Sequence, residues 1–167
     1  MVAFHVGHYR LFQRTVIYLF WRTIGIGQYV FLRGSPLPIS HETQNGSSAY
    51  QAWKQGDNNL EWGGAQAGQG TFNGIPAQGT PLVNYSSNRW MVDLDIDCTN
   101  TNNGWFELKG FDTVLEPNIT MQMHTCFGNA ANRSMPAALH NSINHVARCG
   151  YINVFSYADC YCQIDNF

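Results

Sequence analysis

The strongest constraint on the fold is a strict alternation of side chains between Trp90 and Asp97. This run reads WMVDLDID, so apolar residues take one phase, while Met91 and three aspartates take the other. Because successive side chains of a strand point to opposite faces, the run predicts a strand with one buried and one solvated face. Such strands are typical of antiparallel sheets that are packed on one side only.

Similar short runs, separated by loops rich in Gly, Asn, Ser and Pro, recur along the chain and predict an all-β fold. The predicted strands are Arg14–Trp21, Gln28–Arg33, Trp90–Asp97, Gly104–Lys109 and Tyr151–Ser156, with weaker ones at Ile119–His124 and Cys162–Phe167. A short helical turn is predicted over Asn141–Ala147. This pattern indicates an antiparallel, jelly-roll-like β-sandwich. Its 167 residues suit one domain, placed at residues 14–167 after an N-terminal extension over residues 1–13.

A long loop-rich insertion, Ser35–Asn88, is the predicted location of a ligand site, with short strands at Leu60–Trp62 and Pro81–Tyr85. Loops of this length in a compact domain are usually functional or partly structured. Aromatic rings there stand among amides, and such rings stack on the C–H faces of sugars while amides bind the hydroxyls. The candidate glycan-binding residues are Trp53, Trp62, Tyr50, Tyr85, Gln55, Asn58 and Asn59. The alternative is that the tryptophans close one end of the core.

The composition excludes several classes of partner. Only 12% of the residues are charged, and Lys54 and Lys109 are the two lysines. A nucleic-acid partner or an electrostatic membrane anchor would require a basic face. Asn, Gln, Ser and Thr make up 45 residues, which suits an uncharged polar ligand such as a polysaccharide or other glycan. No zinc spacing, nucleophile motif or phosphate-binding glycine loop is present.

The three aspartates Asp93, Asp95 and Asp97 would share one face of their strand, about 7 Å apart at each step. They could form a solvated sheet face, supply carboxylates to a calcium ion, or provide the acid pair of a glycoside hydrolase. No cofactor is predicted beyond this candidate calcium.

Cysteines and glycosylation sequons favour a secreted, extracellular protein. The cysteines are Cys98, Cys126, Cys149, Cys160 and Cys162, and the sequons begin at Asn45, Asn84, Asn118 and Asn132. Several cysteines in a small domain indicate disulfides and an oxidising compartment. Cys160 and Cys162 are too close along a strand to pair with each other. One of them therefore remains as a thiol or links to another chain, and the pairing of the other four has three solutions.

Several segments resemble the extra C-terminal domain of invertebrate, molluscan-type secreted α-amylases. The resemblance is carried by RTVIYLFWRTIGIGQYVFLRG, GTPL, NRWMVDLDIDC, GWFELKG, NHVARCGYINVF and CQIDNF, which follow the family's order over most of Arg14–Phe167. GWFELKG and CGYINVF are the most specific. The stretch GSPLPISHETQ departs from the family, because it lacks the cysteines expected in that loop.

The resemblance implies a non-catalytic, secreted module that binds α-glucans or other glycans, without the amylase barrel and its catalytic acids. It also implies that Cys98, Cys126, Cys149 and Cys162 are the family cysteines and that Cys160 is the additional one. We therefore expect a glycan-binding module and no enzymatic activity. One alternative is an extracellular structural, filament or coat protein that self-associates through edge strands and an intermolecular disulfide of Cys160. Another is a small hydrolase that uses two of Asp93, Asp95, Asp97 and Glu107.

Overall fold

The protein is an all-β molecule with two main sheets. A computed structural model describes residues 12–21, 28–35, 71–72, 75–76, 80–112, 114, 116–119, 125–131 and 135–167. Its strands are β1 (Phe12–Phe20), β2 (Phe31–Ser35), β3 (Thr71–Phe72), β4 (Ile75–Pro76), β5 (Thr80–Pro81), β6 (Val83–Ser86), β7 (Arg89–Asp97), β8 (Trp105–Phe111), β9 (Cys126–Phe127), β10 (His145–Arg148), β11 (Ile152–Ser156) and β12 (Cys162–Asp165). Within these ranges there is no α-helix, and none of the helical turns is long and apolar enough to cross a membrane.

The larger sheet has six strands in the order β6-β7-β1-β11-β12-β9, and the smaller has four in the order β10-β8-β2-β5. A separate two-stranded ribbon joins β3 to β4. Buried side chains of both main sheets belong to one hydrophobic cluster, so the sheets pack face to face. The all-β class is therefore confirmed, with the core between the two sheets.

The alternation in β7 sets the orientation of the larger sheet. Trp90, Leu94 and Ile96 are buried, whereas Asp93 and Asp95 are exposed, as the sequence predicts. β1 lies antiparallel beside β7 and is buried at Ile17 and at Leu19, which is opposite Trp90. In β1 and β7 the buried apolar phase thus turns inward, and Asp93 and Asp95 are left on the outer surface of the sheet.

In the smaller sheet, Phe106 and Leu108 of β8 contribute to the shared core. Gly110 of the same strand lies against the Trp21 ring and the Leu19 side chain, where a Cβ atom would collide with both. A glycine is therefore required at this contact between the two sheets.

The strand pairing departs from the purely antiparallel prediction at two places. β1 pairs with β11 in parallel, and β12 pairs with β9 in parallel. Parallel neighbours require a crossover connection, and the chain between β1 and β11 passes through the smaller sheet before it returns.

Other local predictions also need adjustment. The predicted helical turn at Asn141–Ala147 is wrong, because strand β10 begins at His145, while a short 3-10 turn lies earlier at Ala137–Leu139. Ile119 is not in a strand, and the rest of Ile119–His124 lies outside the described residues, as does Leu60–Trp62. β1 begins at Phe12, two residues before the predicted boundary.

Two disulfides bridge the four predicted cysteines. Cys98–Cys149 joins the residues that follow β7 and β10, and thereby links the two sheets. Cys126–Cys162 joins β9 to β12 within the larger sheet. Cys160 lies outside both bridges and is partly buried. The structure thus selects one of the three pairings that the sequence left open.

Candidate ligand-binding face

The outer surface of the six-stranded sheet, here called the open face, carries a continuous row of side chains across the strands. The register aligns one residue of each strand with the next. In sheet order the row is Val83, Met91, Tyr18, Val154, Gln163 and Phe127. At about 4.8 Å between neighbouring strands, it extends for about 24 Å. This row forms a mostly apolar line from one edge of the sheet to the other.

Aromatic pairs lie at both ends of this row. Tyr85 is 50% exposed, and its ring packs edge-on against Tyr18 at a centroid distance of 5.5 Å. At the opposite edge, Phe127 is 62% exposed and stacks on Tyr161 at 6.3 Å. Exposed rings at both ends of an apolar row offer flat surfaces on which a ligand can stack.

Polar groups flank the rings. The Tyr161 hydroxyl donates to Gln163 Oε1 at 2.7 Å, and Gln163 Nε2 donates to Asp165 Oδ2 at 2.7 Å. Arg14 lies with its guanidinium carbon 4.7 Å from the centre of the Phe167 ring. Carboxylate and amide oxygens at these positions can accept hydrogen bonds from ligand hydroxyls.

One of the three predicted calcium-binding aspartates is held by an arginine. Arg14 Nε donates to Asp93 Oδ1 and Oδ2 at 3.1 Å, and Arg14 Nη2 donates to Oδ2 at 2.8 Å. This hydrogen bonding and charge raise the pKa of the Arg14 guanidinium. Asp95 is exposed on the same face. Among the described residues, no group of three His, Cys, Asp or Glu side chains could hold a metal ion, and calcium binding stays a prediction.

Of the predicted glycan-binding residues, one lies in the described part of the chain. Tyr85 lies on β6 at the open face, whereas Trp53, Trp62, Tyr50, Gln55, Asn58 and Asn59 lie outside the described residues. Of the sequons, Asn84 and Asn118 are exposed, while Asn45 and Asn132 fall outside the described part. Tyr18, Phe127 and Tyr161 were not predicted, because their side chains come together only through the pairing of strands distant in sequence.

The outer surface of the four-stranded sheet, here called the covered face, is the opposite case. Lys109 is 2% exposed, and its ammonium donates to the carbonyl oxygens of Glu116, Pro117 and Ile143 at 3.2, 2.9 and 3.1 Å. Glu107 accepts hydrogen bonds from the Ser142 hydroxyl and from Asn144 Nδ2. The loops that contain these partners therefore cover the polar side chains of β8.

Glu116 anchors one of these loops to several strands. Its Oε1 lies 2.7 Å from His145 Nε2 and accepts from the Ala158 N–H at 2.6 Å, while Oε2 accepts from the Gly110 N–H at 2.8 Å. Burial raises the pKa of this carboxyl, but His145 and the backbone donors outweigh burial, so the pKa lies below its ordinary value. The carboxylate thus ties β8, β10 and the turn after β11 together.

Glu107 differs from Glu116 in the balance of these effects. Burial raises its pKa, and the hydrogen bonds from Ser142 and Asn144 together with the charge of Lys109 only partly oppose that rise. Glu107, Glu116 and His145 are each at most 3% exposed. Side chains this inaccessible, whose polar atoms contact the chain itself, hold loops in place rather than bind a ligand.

Comparison with models of known protein families and with curated proteins finds no match to this chain.

Proposed function

We propose that this chain is a non-enzymatic glycan-binding module of a secreted protein and that the open face contacts the glycan. The observation that carries the proposal is the cross-strand row with exposed aromatic pairs at both ends. A sugar ring has apolar C–H faces and a rim of hydroxyls, so it requires aromatic surface next to hydrogen-bonding groups. Both are present on this surface.

The charge distribution favours a neutral glycan. Arg14 and Asp93 neutralise each other, and Asp165 accepts a hydrogen bond from Gln163. The carboxylates of Asp95 and Asp165 would repel an anionic polymer rather than attract it. An uncharged α-glucan, as the resemblance to the amylase domains implies, fits this surface. Trp53 and Trp62 of the loop insertion, which lie outside the described residues, stay candidates for stacking on the same glycan.

Secretion is part of the same proposal. Two disulfides are compatible with an oxidising compartment, and four sequons agree with passage through the secretory pathway.

Co-sedimentation of the purified chain with insoluble starch, chitin and cellulose tests the proposal. We expect retention on at least one polymer and weaker retention of Tyr85→Ala and Phe127→Ala, because each removes an exposed ring. Val114→Ala is the matched control, since Val114 is 63% exposed but lies in a loop after β8. A thermal unfolding curve of each variant separates lost binding from lost folding.

The same assay separates the elements of the proposal. Equal binding of both variants and the wild type would exclude the open face, and Trp53→Ala and Trp62→Ala would then test the loop site. A loss of retention in EDTA, restored by calcium, would assign the aspartates to a cation. Absence of retention on all polymers would contradict the glycan-binding function.

A second candidate is self-assembly through edge strands, which one observation favours. β6 forms an edge of the larger sheet, and all four of its residues are exposed. An exposed edge offers unpaired backbone groups to a second chain. Analytical ultracentrifugation of the chain secreted from a glycosylating host tests this candidate, since a concentration-independent monomer of that form would exclude it.

A further inference from the structure

The four edges of the two main sheets are not equally exposed. Among the described strands, the edges of the larger sheet are β6 and β9, and those of the smaller sheet are β10 and β5. Proteins commonly protect such edges with very short strands, proline, charge or a covering loop.

Three of the four edges have such a device. β9 has only two residues and is fixed to β12 by the Cys126–Cys162 disulfide. β5 also has two residues, one of which is Pro81. In β10, His145, Val146 and Ala147 are all buried, so other parts of the chain cover that edge.

β6 is the exception. It has four residues, all exposed, and Val83 and Tyr85 leave 57% and 50% of their surface to solvent. None of its side chains is charged, and it contains no proline. A pairing irregularity lies between Asn84 and Ser86, but the edge still carries no charge and exposes two large apolar side chains, Val83 and Tyr85.

We propose that Asn84 carries an N-linked glycan whose bulk covers the β6 edge and prevents a second copy of the chain from pairing there. Asn84, Tyr85 and Ser86 form a sequon, and all three residues are exposed within the edge strand itself. A glycan attached to such a sequon is bulky and solubilising. The proposal rests on the secretion part of the proposed function, but not on glycan binding by the open face.

The modification is a group transfer from a lipid-diphosphate-linked oligosaccharide, the donor of the secretory pathway. The Asn84 side-chain nitrogen forms a bond to the anomeric carbon of the first sugar, and the bond from that carbon to the diphosphate breaks. The lipid diphosphate leaves, and one proton leaves the amide nitrogen. The Ser86 hydroxyl completes the sequon that the transferase recognises.

Asn118 provides an internal control. It is an exposed sequon asparagine as well, but it lies in the segment 116–119, which has no strand pairing. A glycan at Asn118 would add the same mass and solubility without covering an edge.

The first experiment measures site occupancy in the full chain secreted from a glycosylating eukaryotic host. Peptide mass spectrometry before and after enzymatic release of N-glycans reports each sequon separately. We expect Asn84 to be occupied. An unmodified Asn84, with or without a glycan at Asn118, would overturn the proposal.

The second experiment separates the glycan from the substitution by changing Ser86 in three ways. Ser86→Thr keeps the sequon, Ser86→Ala removes it, and Ser86→Lys removes it but places a charge on the edge. We expect the wild type, Ser86→Thr and Ser86→Lys to sediment as monomers. Ser86→Ala should sediment as dimers or larger species at the concentration at which the wild type is a monomer.

Asn118→Gln, which removes the loop sequon, should remain monomeric. Monomeric Ser86→Ala would overturn the proposal, because the edge would then need no cover. Association of Ser86→Lys to the same extent as Ser86→Ala would also overturn it, because a charge on the edge should block strand pairing. Failure of the starch, chitin and cellulose assays would leave these outcomes unaffected, so the two proposals fail separately.

Discussion

The two outer surfaces of the sandwich are built from similar sequence patterns but have opposite environments. In β7 the polar phase contains Asp93 and Asp95, which are exposed. In β8 the polar phase contains Glu107 and Lys109, which are buried beneath loops. On the open face the aspartates are solvated, and Asp93 also binds Arg14. On the covered face, Lys109 binds backbone carbonyls, and Glu107 binds a hydroxyl and an amide, in place of water.

This difference shows that alternation fixes which side chains share a face but not what lies above that face. A buried charge requires several hydrogen-bonding partners, because removal from water is costly. An exposed charge retains its water and depends little on any one partner. The covered face should therefore be sensitive to single substitutions, and the open face should tolerate them.

The largest effect is expected for Glu116→Gln. The substitution removes the carboxylate charge next to His145, although Ala158 and Gly110 keep their N–H groups directed at the site. Hydrogen bonds to a buried charged group typically contribute about 1.5–3 kcal/mol, so a loss in this range is expected. Urea unfolding monitored by tryptophan fluorescence measures the change. A loss close to zero would mean that the loop over β8 is not anchored by this residue.

The contribution of Glu116 to stability should also depend on pH. The folded-state pKa of Glu116 lies below the ordinary 4.5, so its contribution is present above pH 4.5 and is lost as the pH falls through the folded-state value. On acidification, the free energy of unfolding should therefore fall less steeply in Glu116→Gln than in the wild type. The difference between the two slopes is at most about 1.4 kcal/mol per pH unit, the value for one proton. Urea unfolding between pH 3 and pH 7 provides the measurement.

Glu107→Gln is the control of opposite sign. The folded-state pKa of Glu107 is raised, so its contribution is present below 4.5 and is lost as the pH rises through the folded-state value. In the wild type this loss lowers the free energy of unfolding as the pH rises above 4.5. In Glu107→Gln that decrease should be absent, and the pH dependence below 4.5 should match that of the wild type. Identical pH profiles of both variants would contradict the assigned directions.

A pair of threonines compares the centre of one sheet with the edge of the other. Thr15 in β1 is fully buried and its hydroxyl accepts from the Gly150 N–H at 2.8 Å, whereas Thr80 in β5 is equally buried and its hydroxyl has no partner within the described residues. Thr15→Val should destabilise the protein by about 1–2 kcal/mol, because a donor is left unsatisfied. Thr80→Val should be neutral or stabilising. Equal losses in denaturant unfolding would contradict this difference.

The smallest effect is expected on the open face. Asp93→Asn removes the ion pair with Arg14, and because both side chains are exposed, the free energy of unfolding should stay nearly unchanged. The measurement is the urea midpoint at low and at high salt. A large loss would show that the open face is covered in solution.

The sequence predicted the strands whose periodicity is long and two-sided. Trp90–Asp97 was placed correctly because eight residues alternate, whereas His145–Arg148 was taken for a helical turn. That strand has only four residues, and three of them are buried, so it has no alternation to detect. The parallel pairing of β1 with β11 has no local signal at all.

The candidate site residues were less predictable than the strands, because their partners also lie far away in the sequence. Tyr85 was identified from its loop context, but its partner Tyr18 lies two strands away in the sheet. Glu107 was weighed only as a hydrolase acid, because its partners Ser142 and Asn144 are far along the chain. The environment of a polar side chain depends on which distant loop covers it, and neighbouring residues in the sequence do not encode that.

The position of β1 has a consequence for how the chain folds during synthesis. β1 lies between β7 and β11, and the Asn153 amide donates to the Val16 carbonyl across 137 residues of sequence. A strand with such distant neighbours gives the fold a high contact order, which slows folding. While the ribosome is still making the middle of the chain, β1 has neither flanking partner. A strand synthesised early thus becomes enclosed only when residues 152–156 have emerged, whereas Cys98 waits for only 51 further residues until Cys149 is made.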